Sequence, residues 1–189
     1  MEASFTTCFG GWRLTEETPG PLPRPGLKLT GLFLGVVMIG LLVAWVLPSD
    51  DVTVAAVGQP APDFTVPLID GGTFTLSEQL KADNRPVVLN LWASWCIPCR
   101  TETPDISAFA EANPDVKVIG VAVEDTETAS RAFAEEFDPS YDLGLGNAEF
   151  EAAYARLGLP VTYIIGANGV IEDLLIGIVT QEILEDITS

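Results

Sequence analysis

With 189 residues, the chain is long enough for one ordinary domain and an appendage. Its 27 acidic residues outnumber 9 basic ones for a formal net charge of -18, which speaks against nucleic acid as a partner. It carries three cysteines and no histidine, so Cys2His2 and Cys3His zinc sites are excluded.

Residues 1–28 include a proline-rich run from Pro19 to Gly26, and prolines withhold the N–H donors that regular structure needs. A cytoplasmic tail is expected there, with Cys8 incidental. No charge interrupts the apolar stretch from Leu29 to Leu47, and at about 1.5 Å per residue a helix of that length spans roughly 30 Å of hydrocarbon. The stretch predicts one transmembrane helix, residues 29–47, acting as an uncleaved signal-anchor. The nearest small-residue cleavage site, around Ala56, lies well beyond it. Cys8 precedes the stretch and so is no lipobox cysteine.

Arg13, Arg24 and Lys28 stand before the span and Asp50 and Asp51 after it, which predicts a single-pass protein of the cell membrane with a cytoplasmic amino terminus. The main domain then faces outward, where disulfides form. Because Glu2, Glu16 and Glu17 balance those three bases, the negative charge belongs to the outer part. A solvated acidic face accounts for it; attraction to a basic client protein is the sharper alternative.

Residues 48–60 read as a linker and 61–189 as the outer domain. Phe64 to Ile69, a turn at Asp70-Gly71-Gly72, and Thr73 to Leu76 predict a β-hairpin, with a short helix from Ser77. Val87 to Leu91 is almost wholly apolar, the pattern of a central strand covered on both faces. It ends in Trp92 and Trp95 and delivers Cys96 and Cys99 to a helix that must bend at Pro104 and ends near Ala112. Val116 to Val123 is a second apolar strand, so strand, helix and strand form a right-handed parallel crossover. Thr126 caps a helix with Ala129, Phe133 and Phe137 on one face. Another helix starts at Asn147, buries Phe150, Tyr154 and Leu157, and stops at Gly158. A strand entered through Pro160 turns at Asn168-Gly169, a two-residue type I′ signal, into an antiparallel partner. A last helix from about Thr180 buries Ile183, Leu184 and Ile187.

A bare C-x-x-C is a weak signal, but its context narrows it. Arg100 follows the second cysteine, so the haem-attachment pattern C-x-x-C-H fails, and Cys8 alone cannot complete a four-thiolate site. A redox-active pair remains, against the plainer alternative of two small buried hydrophobes or an inert staple. At a helix start the Cys96 sulfur lies over unpaired N–H groups, which favour thiolate and make Cys96 the expected exposed, low-pKa nucleophile. Cys99, one turn on, is the expected buried resolver. Pro98 suits the first helical turn.

Three stretches now resemble a known family: Leu91 to Pro104 (LWASWCIPCRTETP), Ala61 to Phe64 (APDF) ahead of a hairpin, and Gly158 to Tyr163 (GLPVTY). Together they resemble the thioredoxin superfamily, and within it the membrane-anchored TlpA, ResA and CcmG (DsbE) group of thiol-disulfide oxidoreductases. The resemblance implies an α/β thioredoxin-like fold: a central mixed sheet flanked by helices, an extra N-terminal β-hairpin, and one transmembrane helix ahead of it. It implies a cis proline at Pro160 beside the cysteines, with the Leu159 backbone pairing to an extended client and Trp95, Ile97 and Pro98 as further client contacts.

Asn90 stands where thioredoxin keeps a buried aspartate, and Glu102 matches the glutamate of C-x-x-C-x-x-E-x-P, the expected proton acceptor. Spacing alone leaves open a solvated helix glutamate. Gly166 replaces an aspartate usual in the group, which puts local turn contacts in question. The redox group is the Cys96–Cys99 pair itself, with no separate cofactor and no metal.

The implied function is reduction of exported client cysteines, such as those of apocytochrome c in cytochrome c maturation, with electrons from a membrane thiol donor. A disulfide oxidase or isomerase is the alternative. A peroxidase needs Pro and Thr seven and three residues before its cysteine, where this chain has Leu89 and Ala93. A copper carrier needs C-x-x-x-C and a histidine, and a non-catalytic adaptor would lack mutually reactive thiols.

Overall fold

The computed structural model describes residues 35–39, 54–154 and 158–188. The chain divides into two units, Met1–Asp50 and Asp51–Ser189. In the first, residues 35–39 are helical; the rest of the expected span and the tail with Cys8 lie outside the described residues. Among the described residues no helix is long and apolar enough to cross a membrane.

The second unit opens with the hairpin β1 (Thr65–Pro67) and β2 (Thr73–Thr75), paired antiparallel. Helix α1 (Leu76–Asp83) follows, then β3 (Val87–Trp92), α2 (Ile97–Ala112), β4 (Lys117–Ala122), α3 (Glu127–Phe137), β5 (Asp142–Leu145), α4 (Ala148–Ala153), β6 (Val161–Ile165), β7 (Ile171–Ile176) and α5 (Gln181–Thr188). The main sheet runs β5-β4-β3-β6-β7, with β3 parallel to β4 and antiparallel to β6. This is the expected mixed sheet with β3 at its centre.

The two-residue period of a strand sorts β3 between two cores. Val87, Leu89 and Leu91 pack with Phe64, Phe74, Phe150 and Tyr154 on the hairpin side. Val88 joins Ile106 and Phe109 of α2 and Leu184 of α5 on the other side. Asn90 and Trp92 therefore share the α2 side with Val88. Trp92 stacks on Phe133 of α3 at 4.2 Å between ring centroids, and Phe133 on Phe137 at 4.5 Å. The Arg100 guanidinium lies 4.9 Å from the Phe137 centroid and pairs with Glu136.

Several expectations change. β5, a four-residue edge strand parallel to β4, was not anticipated, because Asp142-Leu-Gly-Leu145 is too short to show a period. Residues 54–60, expected as linker, join the domain: Ala55 is buried and donates to the Ala153 carbonyl, and Gly58 donates to Ile171. The Asn168-Gly169 turn is not type I′, which needs positive φ at both central residues. Gly169 has φ 78 while Asn168 is not among the left-handed residues, and the Gly169 N–H closes on Gly166 O around Ala167 and Asn168.

A Cβ on Gly166 would run into the Glu172 carboxylate, so the bare glycine makes room for a neighbouring acid. α4 ends at Ala153, and Leu157 lies outside the described residues. Ile183 is 39% exposed, leaving Leu184 as the buried anchor of α5. α2 is helical throughout Ile97–Ala112 with Pro104 inside it.

Truncating the shared ring of the Trp92, Phe133 and Phe137 stack tests how far it supports the domain. Phe133→Ala should cost about 3–5 kcal/mol, read as a lower urea midpoint at unchanged slope. A loss below about 1 kcal/mol would mean the site collapses around the gap.

Candidate active site

β3 ends at Trp92, and the turn through Ala93, Ser94 and Trp95 brings Cys96 to the N-cap of α2 in extended conformation. The Cys96 sulfur accepts the Cys99 N–H at 3.2 Å, so it occupies the place of a capping oxygen. Cys96 and Cys99 are joined as a disulfide with their Cα atoms 5.3 Å apart. In this oxidised form Cys96 is not the exposed member expected: it is 3% accessible and Cys99 1%. The exposure lies beside it, on Trp95 at 58% and Ile97 at 77%, while Pro98 is half-buried.

The Leu159–Pro160 peptide is cis, as the family resemblance implies. Pro160 is buried, Leu159 half-buried, and Leu159 packs in the same apolar cluster as the disulfide. Trp95, Val123, Glu124, Gly158 and Leu159 line a groove of about 300 Å³.

Glu102 is not a solvated helix residue. Three positions after Cys99, it is 1% exposed and faces the α2 side of β3. There the Asn90 amide donates to its Oε1 at 2.8 Å and also to Thr162 Oγ1 at 3.1 Å. Asn90 and Thr162 are register partners across β3 and β6, so their side chains leave the sheet on one face. Oε2 accepts the Val179 N–H at 3.0 Å. Burial pushes the Glu102 pKa up from the ordinary 4.5 to about 7, and the Val179 and Asn90 donors restrain that rise. Thus a carboxyl behind the cysteines titrates near neutrality.

Asp125 is a site-supporting residue that the sequence reading missed. Its carboxylate accepts from Ser94 N at 2.7 Å, Ser94 Oγ at 3.0 Å, Thr126 N at 2.8 Å and Ser130 Oγ at 3.1 Å. Burial would raise its pKa, but these four donors together hold it below the usual carboxylate range. Beside it, the Glu124 carbonyl accepts Trp95 Nε1–H at 3.1 Å, with Glu124 itself at φ 52. The β4–α3 loop therefore fixes the turn that presents Trp95. A single Asp ahead of Thr126 resembles an ordinary helix start, and its partner Ser94 lies 31 positions away. Among the described residues no group of three or more His, Cys, Asp or Glu side chains is placed to hold a metal ion.

Glu102 binds more protons folded than unfolded between its ordinary pKa of 4.5 and about 7, so stability falls as pH rises through that window. The shift corresponds to roughly 3 kcal/mol lost by pH 8. Asp125 acts oppositely, its contribution being lost only as pH falls below the ordinary Asp range. In urea titrations of the oxidised protein, Glu102→Gln should therefore remove most of the decline between about pH 5 and 8. Equal declines in variant and parent would show that the carboxyl is hydrated.

Residues 57–174 match the AhpC/TSA family. ResA, a thiol-disulfide oxidoreductase of Oceanobacillus iheyensis, is 34% identical over 144 residues, 72% of this chain and 73% of its own. DsbE, a thiol:disulfide interchange protein of Pseudomonas aeruginosa, is 30% identical over 156 residues, 81% of this chain and 84% of its own. A crystal structure of a thioredoxin-family thiol:disulfide interchange protein from Chlorobium tepidum shares the fold, with a TM-score of 0.63 at 23% identity over 70% of this chain and 95% of that one. With its paired cysteines capping α2 beside a cis proline, the chain belongs to the AhpC/TSA family and, within it, to the thioredoxin-like thiol-disulfide oxidoreductases of DsbE and ResA type.

Proposed function

We propose that the protein is a membrane-tethered, extracytoplasmic reductant of exported client disulfides. Cys96 is the nucleophile, Cys99 the resolver and Glu102 the acceptor of the Cys99 proton. An extended client lies along Leu159 and Pro160 with its flanks on Trp95, Ile97 and Pro98.

The observation that carries the direction of electron flow is that, among the described residues, no cation donates to the Cys96 sulfur. Strongly oxidising pairs owe their potential to a stabilised thiolate, which makes the reduced form low in energy. Here the donor on Cys96 Sγ is the neutral Cys99 amide, and the chain has no histidine. Arg100, the cation nearest in sequence, is turned to Glu136 and the Phe133 and Phe137 rings. The buried Glu102 carboxyl behind the pair disfavours further negative charge. All of this favours the disulfide and so a reducing couple.

The span at 29–47 supplies the tether, and its flanking charges support an outward-facing domain. The client class best matched is a pair of exported cysteines that must stay reduced, as in apocytochrome c before haem attachment. A membrane thiol donor would regenerate the Cys96 and Cys99 thiols. The peroxidase reading rests on the AhpC/TSA match, but the positions where a peroxide cradle needs Pro and Thr hold the buried, apolar Leu89 and Ala93.

The potential of the Cys96–Cys99 couple decides between reductant and oxidase. Equilibrated against glutathione or thioredoxin, it should lie near the thioredoxin value of roughly -270 mV, and a deletion strain should lose c-type cytochromes. A value near about -120 mV with normal cytochromes would make the protein an oxidase or isomerase.

A further inference from the structure

Three residues after β7, Gly177 to Val179, are held at both ends by the site. The Gly177 N–H donates to the Pro160 carbonyl at 2.9 Å, with Gly177 at φ 100. The Val179 N–H donates to Glu102 Oε2 at 3.0 Å, and the Val179 side chain is 2% exposed among Ile106, Phe109 and Leu184. Between them Ile178 is 49% exposed. One short loop thus connects the proline edge of the site to its buried carboxylate.

We propose that this loop is a positioning element for the redox step: Val179 N–H holds Glu102 to receive the Cys99 proton, and Gly177 N–H ties that hold to the Pro160 edge where a client lies. The proposal rests on the reading of Glu102 as proton acceptor. Cys96 thiolate attacks a client disulfide and releases one client thiolate, which takes a proton from solvent. Cys99 then gives its proton to the Glu102 carboxylate while its sulfur attacks Cys96, breaking the mixed disulfide and releasing the second client thiolate. Two electrons pass from the cysteine pair to the client.

The amide matters because little else favours the carboxylate. Among the described residues, Glu102 meets the neutral Asn90 amide from β3, the Tyr141 phenol from the segment before β5 and the Val179 amide from the loop, with Cys99 one turn back on its own helix. None of them is a cation. A buried oxygen that loses its donor retains the full cost of desolvation, so the carboxyl would hold its proton to higher pH.

The test uses the reduced full-length chain and the neutral reagent dithiodipyridine, following release of the second thiopyridone, the resolving step, over about pH 5 to 9. Val179→Pro deletes the donor. Gly177→Ala moves the loop through the strain of a side chain at φ 100, without touching any group that faces Glu102. Both should shift the pH midpoint upward by about one unit, the size expected for a hydrogen bond to a charged group. Ile178→Ser, which alters neither amide, should retain the parent midpoint. Should Val179→Pro not fold, Gly177→Ala carries the test, together with the Val179 amide proton shift in the unmutated chain, which should follow the Glu102 titration. If Glu102→Gln changes the profile but the loop variants superimpose on the parent, the loop proposal is wrong and the acceptor stands. If Glu102→Gln itself changes nothing, the acceptor reading falls and the loop proposal with it.

Discussion

The constraint on which the site depends is the seating of one ionisable carboxyl in an apolar interior, one helical turn along α2 from a disulfide. A glutamate 1% exposed is tolerable only when each oxygen has a donor, and here the donors come from two distant parts of the chain. Asn90 arrives on the central strand and Val179 on the loop after β7. Neither can be displaced without stranding charge. The packing of α2 against β3, β6 and the last loop is therefore fixed by polar geometry as well as by the Val88, Ile106, Phe109 and Leu184 core.

That arrangement explains which parts of the site were legible in the sequence. The cysteine pair, its helix and the strand before it are contiguous, so local periodicity and a capping position were enough to place them. The crossover to β4 and the hairpin at β6 and β7 followed from apolar runs of ordinary length. The burial of Glu102 was not legible, because i,i+3 spacing relates it to Cys99 and says nothing of Asn90 or Val179. Asp125 was missed for the same reason, its first partner lying across the sheet edge at Ser94. β5 went unseen because four residues with one glycine at the centre carry no period. The Asn168-Gly169 signal was real, but the chain spent the glycine one position later than a type I′ turn would, as the left-handed residue closing a turn on Ala167 and Asn168.

Charge is managed locally despite the net -18. Among the described residues, two basic side chains near the site are occupied: Arg100 with Glu136 and two aromatic rings, Arg131 with Glu127 and the Ile69 carbonyl. These pairs are partly exposed, so their own contribution to stability is small. Their consequence for chemistry is larger, since a guanidinium stacked on Phe137 is unavailable to stabilise a thiolate at Cys96. Among the described residues, what acts on the sulfur is the helix terminus, whose partial charge is felt within the first turn.

Moving the acid from strand to helix also changes what it can respond to. On β3 an aspartate at position 90 would stand on a strand paired on both sides, with no backbone bond to the loop after β7. On α2 the carboxylate travels with the cysteines, while the Asn90 that replaces the acid becomes one of its donors. Its other donor belongs to a segment that also grips Pro160. The sheet thus supplies a neutral partner and the loop a partner that also reaches Pro160, so that, on the proposed mechanism, the proton affinity of the resolving step would be set partly where a client binds.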